Sequence, residues 1–241
     1  MGGRSLFFVV LLLGVLSLAA GLAQPASTNA PLDEALRELT QPAKKLPFAQ
    51  VILATTGHRV LTFDTNNSAH ALLRQKILQA AALAGERARR EGIATARANE
   101  AGNHIEVFVR AAMKDNGLSA RVPVTSEGRA QSVGYPDIEI TGATPCYVEL
   151  KTYNATTAHT TQRSFYYSPS AAPKVTRDAL HLLLAYELEK ISRNGQTVFV
   201  PVHWKLLTLE DLEVDLKFEF NQSNRGLYGD QNHVLEEAPV K

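Results

Sequence analysis

A chain of 241 residues can form one domain of ordinary size with a substantial hydrophobic core. Hydrophobic residues make up 45% of it and charged residues 20%, a composition that excludes an intrinsically disordered protein. The formal net charge of +1 excludes a strongly basic nucleic-acid-binding protein, and the single cysteine, Cys146, excludes an intramolecular disulfide and a cysteine-based zinc cluster.

The first 23 residues have the pattern of a secretory signal peptide. Arg4 precedes an apolar run at residues 6–20, and small residues follow it as far as Ala23. The run is shorter than the roughly 20 residues that span a bilayer comfortably. We therefore predict cleavage after Ala23 and a secreted or periplasmic protein with no stable membrane span. An uncleaved N-terminal membrane anchor is the alternative.

Residues 24–94 are predicted to form a linker, a hairpin and a long helix. A Pro/Ala/Ser-rich linker leads to a short helix at residues 33–39. Apolar runs at residues 48–54 and 59–63, around Gly57, indicate two strands of a hairpin. Asn66, Asn67 and Ser68 then offer N-cap chemistry for a helix whose apolar positions follow one buried face: Ala69, Leu72, Leu73, Ile77, Ala80 and Leu83 or Ala84.

A second long helix is predicted at residues 95–115, and a strand at residues 120–125 follows it. Glu106 borders the apolar stripe of the helix. Arg110, four residues on, favours an ordinary surface ion pair with Glu106, worth a few tenths of a kcal/mol. The sequence leaves open whether Glu106 has any other role.

Residues 135–153 (YPDIEITGATPCYVELKTY) indicate two strands joined by a turn at Gly142. Pairing that is symmetric about Ala143 would place Asp137 opposite Glu149, with Cβ atoms roughly 4.5–5.5 Å apart. Two carboxylates at that distance repel each other unless a cation lies between them. Lys151, on the same strand face as Glu149, or a metal ion could supply that charge.

Residues 152–173 form a long polar stretch with aromatics and cations, typical either of a nucleic-acid-stacking loop or of a surface loop held by its aromatics. A third long helix is predicted at residues 175–191. Strands are predicted at residues 197–204 and 214–220, and residues 221–241 read as a flexible tail.

The order of elements and two motifs resemble the PD-(D/E)XK nuclease superfamily. The motifs are Pro136-Asp137 and Glu149-Leu150-Lys151, with Glu149 twelve positions after Asp137 and Glu106 on the preceding helix. The resemblance implies an α/β fold with a mixed sheet, namely a restriction endonuclease-like αβββαβ core at residues 95–220, extended at its N-terminus by the hairpin and long helix. It also implies a phosphodiester-hydrolysing enzyme, most simply a DNA endonuclease.

The resemblance assigns roles to named residues. Asp137, Glu149 and the Leu150 backbone carbonyl would bind Mg²⁺, with Mn²⁺ as an alternative. Lys151 would position or help to deprotonate the attacking water, and Glu106 would support a second metal or a bound water. Glu139, two residues after Asp137, could take either metal-binding role.

The implied substrate is nucleic acid, with DNA favoured over RNA. Charge and position suggest four further residues for phosphate contacts, and a homodimer is compatible with such an enzyme. Enzymes of this kind act in the cytoplasm, so the signal peptide would instead imply an extracellular or periplasmic substrate. The suggested contact residues are Gln162, Arg163, Lys174 and Arg177.

Three alternatives remain open at this point. The chain could be a non-catalytic exported binding or scaffold domain on a nuclease-like fold, or a metal-dependent hydrolase of other phosphate esters. The charged cluster could also be a structural network in which Lys151 neutralises Asp137 and Glu149, although such a buried network costs desolvation.

Overall fold

The computed structural model describes residues 30–95, 100–161 and 164–225. The described residues divide into two units, with the boundary between Gln41 and Pro42. In the first unit the described element is helix α1 (Ala30–Leu39), close to the predicted helix at residues 33–39. The predicted signal peptide lies outside the described residues. Within the described ranges, no helix combines the length and apolar character needed to cross a membrane.

The second unit is built on a mixed β-sheet. Its elements are β1 (Ala43–Pro47), α2 (Phe48–Thr56), β2 (Val60–Leu61), α3 (Ser68–Glu91), α4 (Ala101–Asp115), β3 (Ser119–Arg121), β4 (Ile138–Thr141), β5 (Cys146–Tyr153), β6 (Ala179–Arg193), β7 (Gln196–Thr208) and β8 (Glu213–Leu216). Strand order is β2-β6-β5-β4-β3, with β7 also paired to β6, while β1 and β8 form a separate antiparallel pair. Strands β5 and β6 are parallel, and the β3–β4, β4–β5 and β6–β7 pairs are antiparallel. The α/β class with a mixed sheet is therefore confirmed.

Helix α3 follows the sequence prediction closely. The side chain of Asn67 caps it by accepting hydrogen bonds from the N–H groups of Ala69 and His70. The predicted inward positions Ala69 and Leu72 are wrong, because both residues are exposed, Leu72 at 53%. The buried face otherwise contains the predicted Leu73 and Ile77 and a row of alanines whose small side chains let α3 pack closely: Ala80, Ala81, Ala84 and Ala88.

Helix α4 begins at Ala101 rather than at residue 95, and its buried stripe was largely predicted. Ala101, Ile105, Val109 and Ala112 are all fully buried. They pack with α3 and with side chains from one face of the sheet, including Ile138 and Val148. The two helices thus cover this face, while the opposite face carries a second apolar cluster with α2, built around Phe48 and Tyr147, beside the charged residues of β5.

The predicted helix at residues 175–191 is wrong, because most of this segment is strand β6. The strand lies between β5 on one side and β2 and β7 on the other, and its first half is buried on both faces. A strand buried on both faces has a continuous apolar run, which contains the helical i, i+3, i+4 spacing by chance. The αβββαβ order therefore lacks its second helix. The described residues between β5 and β6 form neither helix nor strand.

The predicted hairpin at residues 48–54 and 59–63 is also wrong. Residues 48–56 form helix α2, which buries Phe48 and Ile52, one helical turn apart, and ends at Gly57 in the left-handed conformation. Strand β2 has two residues and pairs in parallel with the start of β6. A short apolar run fits a strand and a buried helix equally well, so its pattern did not distinguish them.

Three predicted strands are confirmed with shifted ends. The strand predicted at residues 120–125 is β3, that at 197–204 lies within β7, and that at 214–220 overlaps β8. Of the predicted tail, residues 221–225 are described and exposed, and residues 226–241 lie outside the described part of the chain.

Candidate active site

The hairpin of β4 and β5 brings Asp137 beside Glu149. Its register pairs Ile138 with Val148 and Ile140 with Cys146, the symmetric pairing that the sequence predicted. Asp137 directly precedes β4, and its Oδ2 accepts a 2.7 Å hydrogen bond from the backbone N–H of Leu150. This bond fixes the Asp137 carboxylate against the strand that carries Glu149.

Strand alternation separates apolar from charged side chains along β5. Leu150 belongs to the core cluster on the helix-covered face of the sheet, so its neighbours Glu149 and Lys151 point to the other face. Lys151 Nζ lies 2.5 Å from Glu149 Oε1. The second oxygen, Glu149 Oε2, is buried and has no hydrogen-bond partner among the described residues.

The environment of Glu149 opposes its ionisation. The pKa of Glu149 is raised to about 7, mainly by burial and also by the negative charge of Asp137, and the nearby Lys151 and Lys174 only partly counteract these two effects. A buried carboxylate with an unpartnered oxygen is costly unless a donor or a cation approaches it. The site is therefore short of positive charge.

Glu106 reaches the same site from helix α4. Its Oε1 lies 3.3 Å from Nε of Arg110, the i,i+4 pair that the sequence predicted. Burial raises the pKa of Glu106; Arg110 lowers it, the Asp137 carboxylate raises it, and Lys174 lowers it. Glu106 thus takes part in the surface ion pair and in the charged cluster at the same time.

Lys174 is a member of the cluster that sequence reasoning placed only as a phosphate contact. Its side chain is buried, and Nζ donates a short hydrogen bond to the carbonyl oxygen of Gly134. Burial lowers its pKa, and Asp137, Glu149 and Glu106 act in the opposite direction. No spacing motif links Lys174 to these residues, because it arrives on the long connection before β6.

Glu139 lies near the site but is bound by two arginines. Its Oε2 lies 2.9 Å from Arg121, and its Oε1 lies 3.3 Å from Arg177. The contact of Oε1 with Arg177 is an ion pair without hydrogen-bond geometry, because the two groups are poorly aligned. Arg177 is about half exposed beside this pair.

An aromatic cluster supports the segment that carries Asp137. The hydroxyl of Tyr135 shares a buried 2.6 Å hydrogen bond with Nδ1 of His181, and the two rings stack with centroids 5.9 Å apart. Burial lowers the pKa of His181 to about 3, so the imidazole is neutral at neutral pH. Phe165 and Tyr167 pack on Phe48 within the same cluster, so these two aromatics hold the long loop to the protein.

The remaining predicted contact residues, Gln162 and Arg163, lie outside the described part of the chain. Of the four residues proposed for metal binding through side chains, three converge: Asp137, Glu149 and Glu106 interact electrostatically, and Glu139 is held by arginines. Lys174, which the sequence analysis assigned only to phosphate contact, is an additional member of this charged cluster.

The donor set fits a small hard cation. Within the described ranges, no cluster of three or more His, Cys, Asp or Glu side chains is close enough to hold a metal ion on its own. Mg²⁺ does not need such a cluster, because it is usually bound by one or two carboxylates and keeps several waters. The unpartnered Glu149 Oε2 and the fixed Asp137 carboxylate meet that requirement.

Comparison with known proteins identifies the family. The model of the "Type II restriction enzyme MjaV family" matches residues 41–231, well over half of the chain. The chain belongs to this family of type II restriction enzymes. One relative, "Type II restriction enzyme MjaV" of Methanocaldococcus jannaschii, is 32% identical over 216 residues, which cover 82% of this chain and 91% of that protein. No solved structure matches the chain significantly.

Family membership confirms that the protein is an enzyme of the restriction endonuclease class, as the motifs predicted. The resemblance to the PD-(D/E)XK superfamily is consistent with it. Both Asp137 and the Glu149–Lys151 pair lie inside the matched range, whereas the apolar segment at residues 6–20 lies before it.

Proposed function

We propose that this member of the MjaV family is a Mg²⁺-dependent DNA endonuclease of the PD-(D/E)XK type that hydrolyses phosphodiester bonds. The observation that carries the proposal is the fixed Asp137 carboxylate beside Glu149, whose buried Oε2 has no partner among the described residues. The DNA substrate follows from the family, whose named relative is a restriction enzyme.

Asp137, Glu149 and the backbone carbonyl of Leu150 would hold the cation. When bound, Mg²⁺ would polarise the phosphoryl group, lower the pKa of a water and stabilise the leaving oxygen. Mn²⁺ suits the same carboxylate, carbonyl and water ligands. In the described residues Asp137 Oδ2 is taken by Leu150 N–H, which leaves Oδ1 for the ion.

Lys151 orients the attacking water. Its Nζ is held at Glu149 Oε1, so it lies at the edge of the metal-binding carboxylates and can donate hydrogen bonds to a water there. Glu106 holds a further water or a second metal ion from the helix side. Glu139 serves as the anchor of Arg121 and Arg177, and a metal role for it is the less favoured assignment.

Three polar or charged residues remain proposed phosphate contacts with the DNA backbone. Arg177 is about half exposed, and Gln162 and Arg163 lie outside the described part of the chain. Lys174 is buried among the carboxylates, so we propose that it balances their charge rather than contacting a distant phosphate.

A homodimer is part of the proposal. Cutting both strands of a duplex requires two hydrolysis events, and each chain supplies one site of this kind. Light scattering of the purified protein at several concentrations tests this point.

Export is a separate proposal, supported by the signal-like pattern of residues 1–23 and by their position before the matched family range. N-terminal sequencing of the protein from its native host distinguishes cleavage after Ala23 from an uncleaved anchor or an intact N-terminus.

Plasmid cleavage tests the central proposal. Purified protein should cut plasmid DNA with Mg²⁺ and stop cutting when EDTA is added. Asp137→Ala and Lys151→Ala should remove activity while retaining the circular dichroism spectrum of the wild type. Glu189→Gln, on an exposed position of β6, is the matched control and should cut like the wild type. Equal activity in all four proteins would show that the site is assigned to the wrong residues.

A further inference from the structure

The sheet face that carries Glu149 and Lys151 extends from β5 across β6 to β7. The register places Lys151 opposite Ala185 on β6, and Ala185 opposite Lys205 on β7. Directly opposed residues project to the same face of a sheet. With neighbouring strands about 4.8 Å apart, the backbones of Lys151 and Lys205 are separated by roughly 10 Å.

A groove lies over this part of the sheet. It encloses about 330 Å³ and is lined by both lysines. Its floor is formed by small or apolar side chains, and Glu187, one row farther along the strands, is not among its lining residues. We call it the β5–β7 groove and define it by Lys151, Tyr153, Leu183, Ala185, Lys205 and Leu207.

Lys205 brings an uncompensated positive charge to the groove. Its Nζ lies 5.3 Å from the centroid of the Tyr153 ring, a cation–π contact that draws the ammonium group towards β5. Among the described residues it forms no ion pair, whereas Lys151 pairs with Glu149, and Arg121 and Arg177 pair with Glu139. A lysine without a carboxylate partner, beside a catalytic site, is suited to bind an anion.

The dimensions and chemistry of the groove fit an extended polyanion rather than an isolated anion. It is continuous with the catalytic face at Lys151, and its two cations are separated across an apolar floor with no acidic residue. A DNA strand offers phosphates at regular intervals with sugars between them, so one phosphate can lie at the catalytic site while the next one along lies near Lys205.

We propose that the β5–β7 groove binds the DNA backbone on one side of the scissile phosphate, and that Lys205 contacts a neighbouring phosphate there. The proposal rests on the endonuclease function proposed above. It assigns Lys205 to substrate binding, with no part in the chemical step.

The salt dependence of DNA binding tests this inference. Affinity of the full chain for a short DNA duplex is measured by fluorescence anisotropy across a KCl series, with EDTA present to prevent cleavage. Each lost phosphate contact reduces the slope of log K against log salt concentration by about 0.9. Lys205→Ala and Lys205→Gln should both show this reduction, and Lys205→Arg should keep the wild-type slope.

The matched control is Lys190→Ala, which removes the same charge from an exposed position at the far end of the β6–β7 hairpin. It should bind with the wild-type slope. In cleavage assays Lys205→Ala should raise KM more than it lowers kcat, because a contact made equally in ground and transition states affects binding alone.

Two failures can be distinguished. If the wild-type enzyme is active but Lys205→Ala and Lys190→Ala show the same salt slope of DNA binding, the proposed DNA contact in the groove is wrong. The endonuclease proposal would remain intact. Wild-type protein that does not cleave DNA with Mg²⁺ would overturn the proposed function, and the groove assignment with it.

Discussion

The backbone N–H of Leu150 donates a 2.7 Å hydrogen bond to Oδ2 of Asp137, and this bond ties the residue before β4 to the centre of β5. It places two carboxylates together on a sheet whose other face is filled by α3 and α4. Because Glu149 is buried with one oxygen unpartnered, the electrostatics of the site depend on what cation approaches it.

Without Mg²⁺, the stability of the protein should fall as pH rises from about 4.5 to 7. The folded-state pKa of Glu149 is raised from its ordinary 4.5 to about 7, so ionisation of Glu149 is easier in the unfolded chain. Below pH 4.5 Glu149 is protonated in both the folded and the unfolded chain, so stability is at its full value. As the pH rises from 4.5 to about 7, ionisation favours the unfolded chain and stability is lost. A difference of this size corresponds to about 3 kcal/mol.

Chemical denaturation at several pH values checks this prediction. Glu149→Gln should remove most of this pH dependence and should be more stable than the wild type at pH 8 in EDTA. Adding Mg²⁺ should stabilise the wild type most at pH 8, where Glu149 is ionised. An identical pH profile for the variant and the wild type would contradict this reading of Glu149.

Lys174→Met should make the stability of the protein more dependent on Mg²⁺. The substitution leaves Asp137, Glu149 and Glu106 without the buried cation that acts on all three. We expect a loss of stability in EDTA, because the three carboxylates then repel one another without this nearby positive charge. Mg²⁺ should recover a larger share of stability than it adds to the wild type. Equal Mg²⁺-dependent stabilisation of both proteins would show that Lys174 does not balance these carboxylates.

Tyr135→Phe should reduce both stability and cleavage rate. It removes the buried hydrogen bond to His181, at a cost of about 1–3 kcal/mol, two residues before Asp137. Tyr186→Phe is a matched control, since Tyr186 donates a buried 2.8 Å hydrogen bond to the Ala81 carbonyl within the helix-covered core.

Thermal unfolding and single-turnover cleavage of the two variants separate the effect on stability from the effect on the cleavage rate. Both should lose similar stability, and only Tyr135→Phe should lower the cleavage rate at a temperature where both are folded. A comparable loss of rate in Tyr186→Phe would mean that the Tyr135–His181 pair has no special effect on Asp137.

Local patterns were enough to predict the geometry that brings the central residues of the candidate site together. The turn at Gly142 and strand alternation determine the β4–β5 register, so the approach of Asp137 to Glu149 was predictable from short-range spacing. The N-cap at Asn67 and the ion pair of Glu106 with Arg110 are equally local.

What sequence reasoning missed depends on distant contacts. The segment at residues 175–191 is a strand because β5 and β7 lie on either side of it, and neither partner is visible in its own apolar pattern. Lys174 lies close to the carboxylates because of the path of the long connection before β6. Lys205 lies in the same row as Lys151 because of the register of strands β5, β6 and β7.

Glu139→Gln should leave Mg²⁺ binding and cleavage within a few-fold of the wild type. The Glu139 carboxylate is engaged by Arg121 and Arg177, so its loss should appear as reduced stability. Because both arginines are about half exposed, solvent screening limits this loss to about 1 kcal/mol. Cleavage assays across a Mg²⁺ series measure the effect. A large rise in the Mg²⁺ requirement would instead make Glu139 a metal ligand.

Calorimetric titration of Mg²⁺ into the wild type and Glu149→Gln at pH 8 tests the two-carboxylate metal site most directly. We predict saturable binding by the wild type and loss of that binding in Glu149→Gln, with Glu189→Gln binding like the wild type. Unchanged binding in Glu149→Gln, or none in the active wild type, would contradict a metal site built on Asp137 and Glu149.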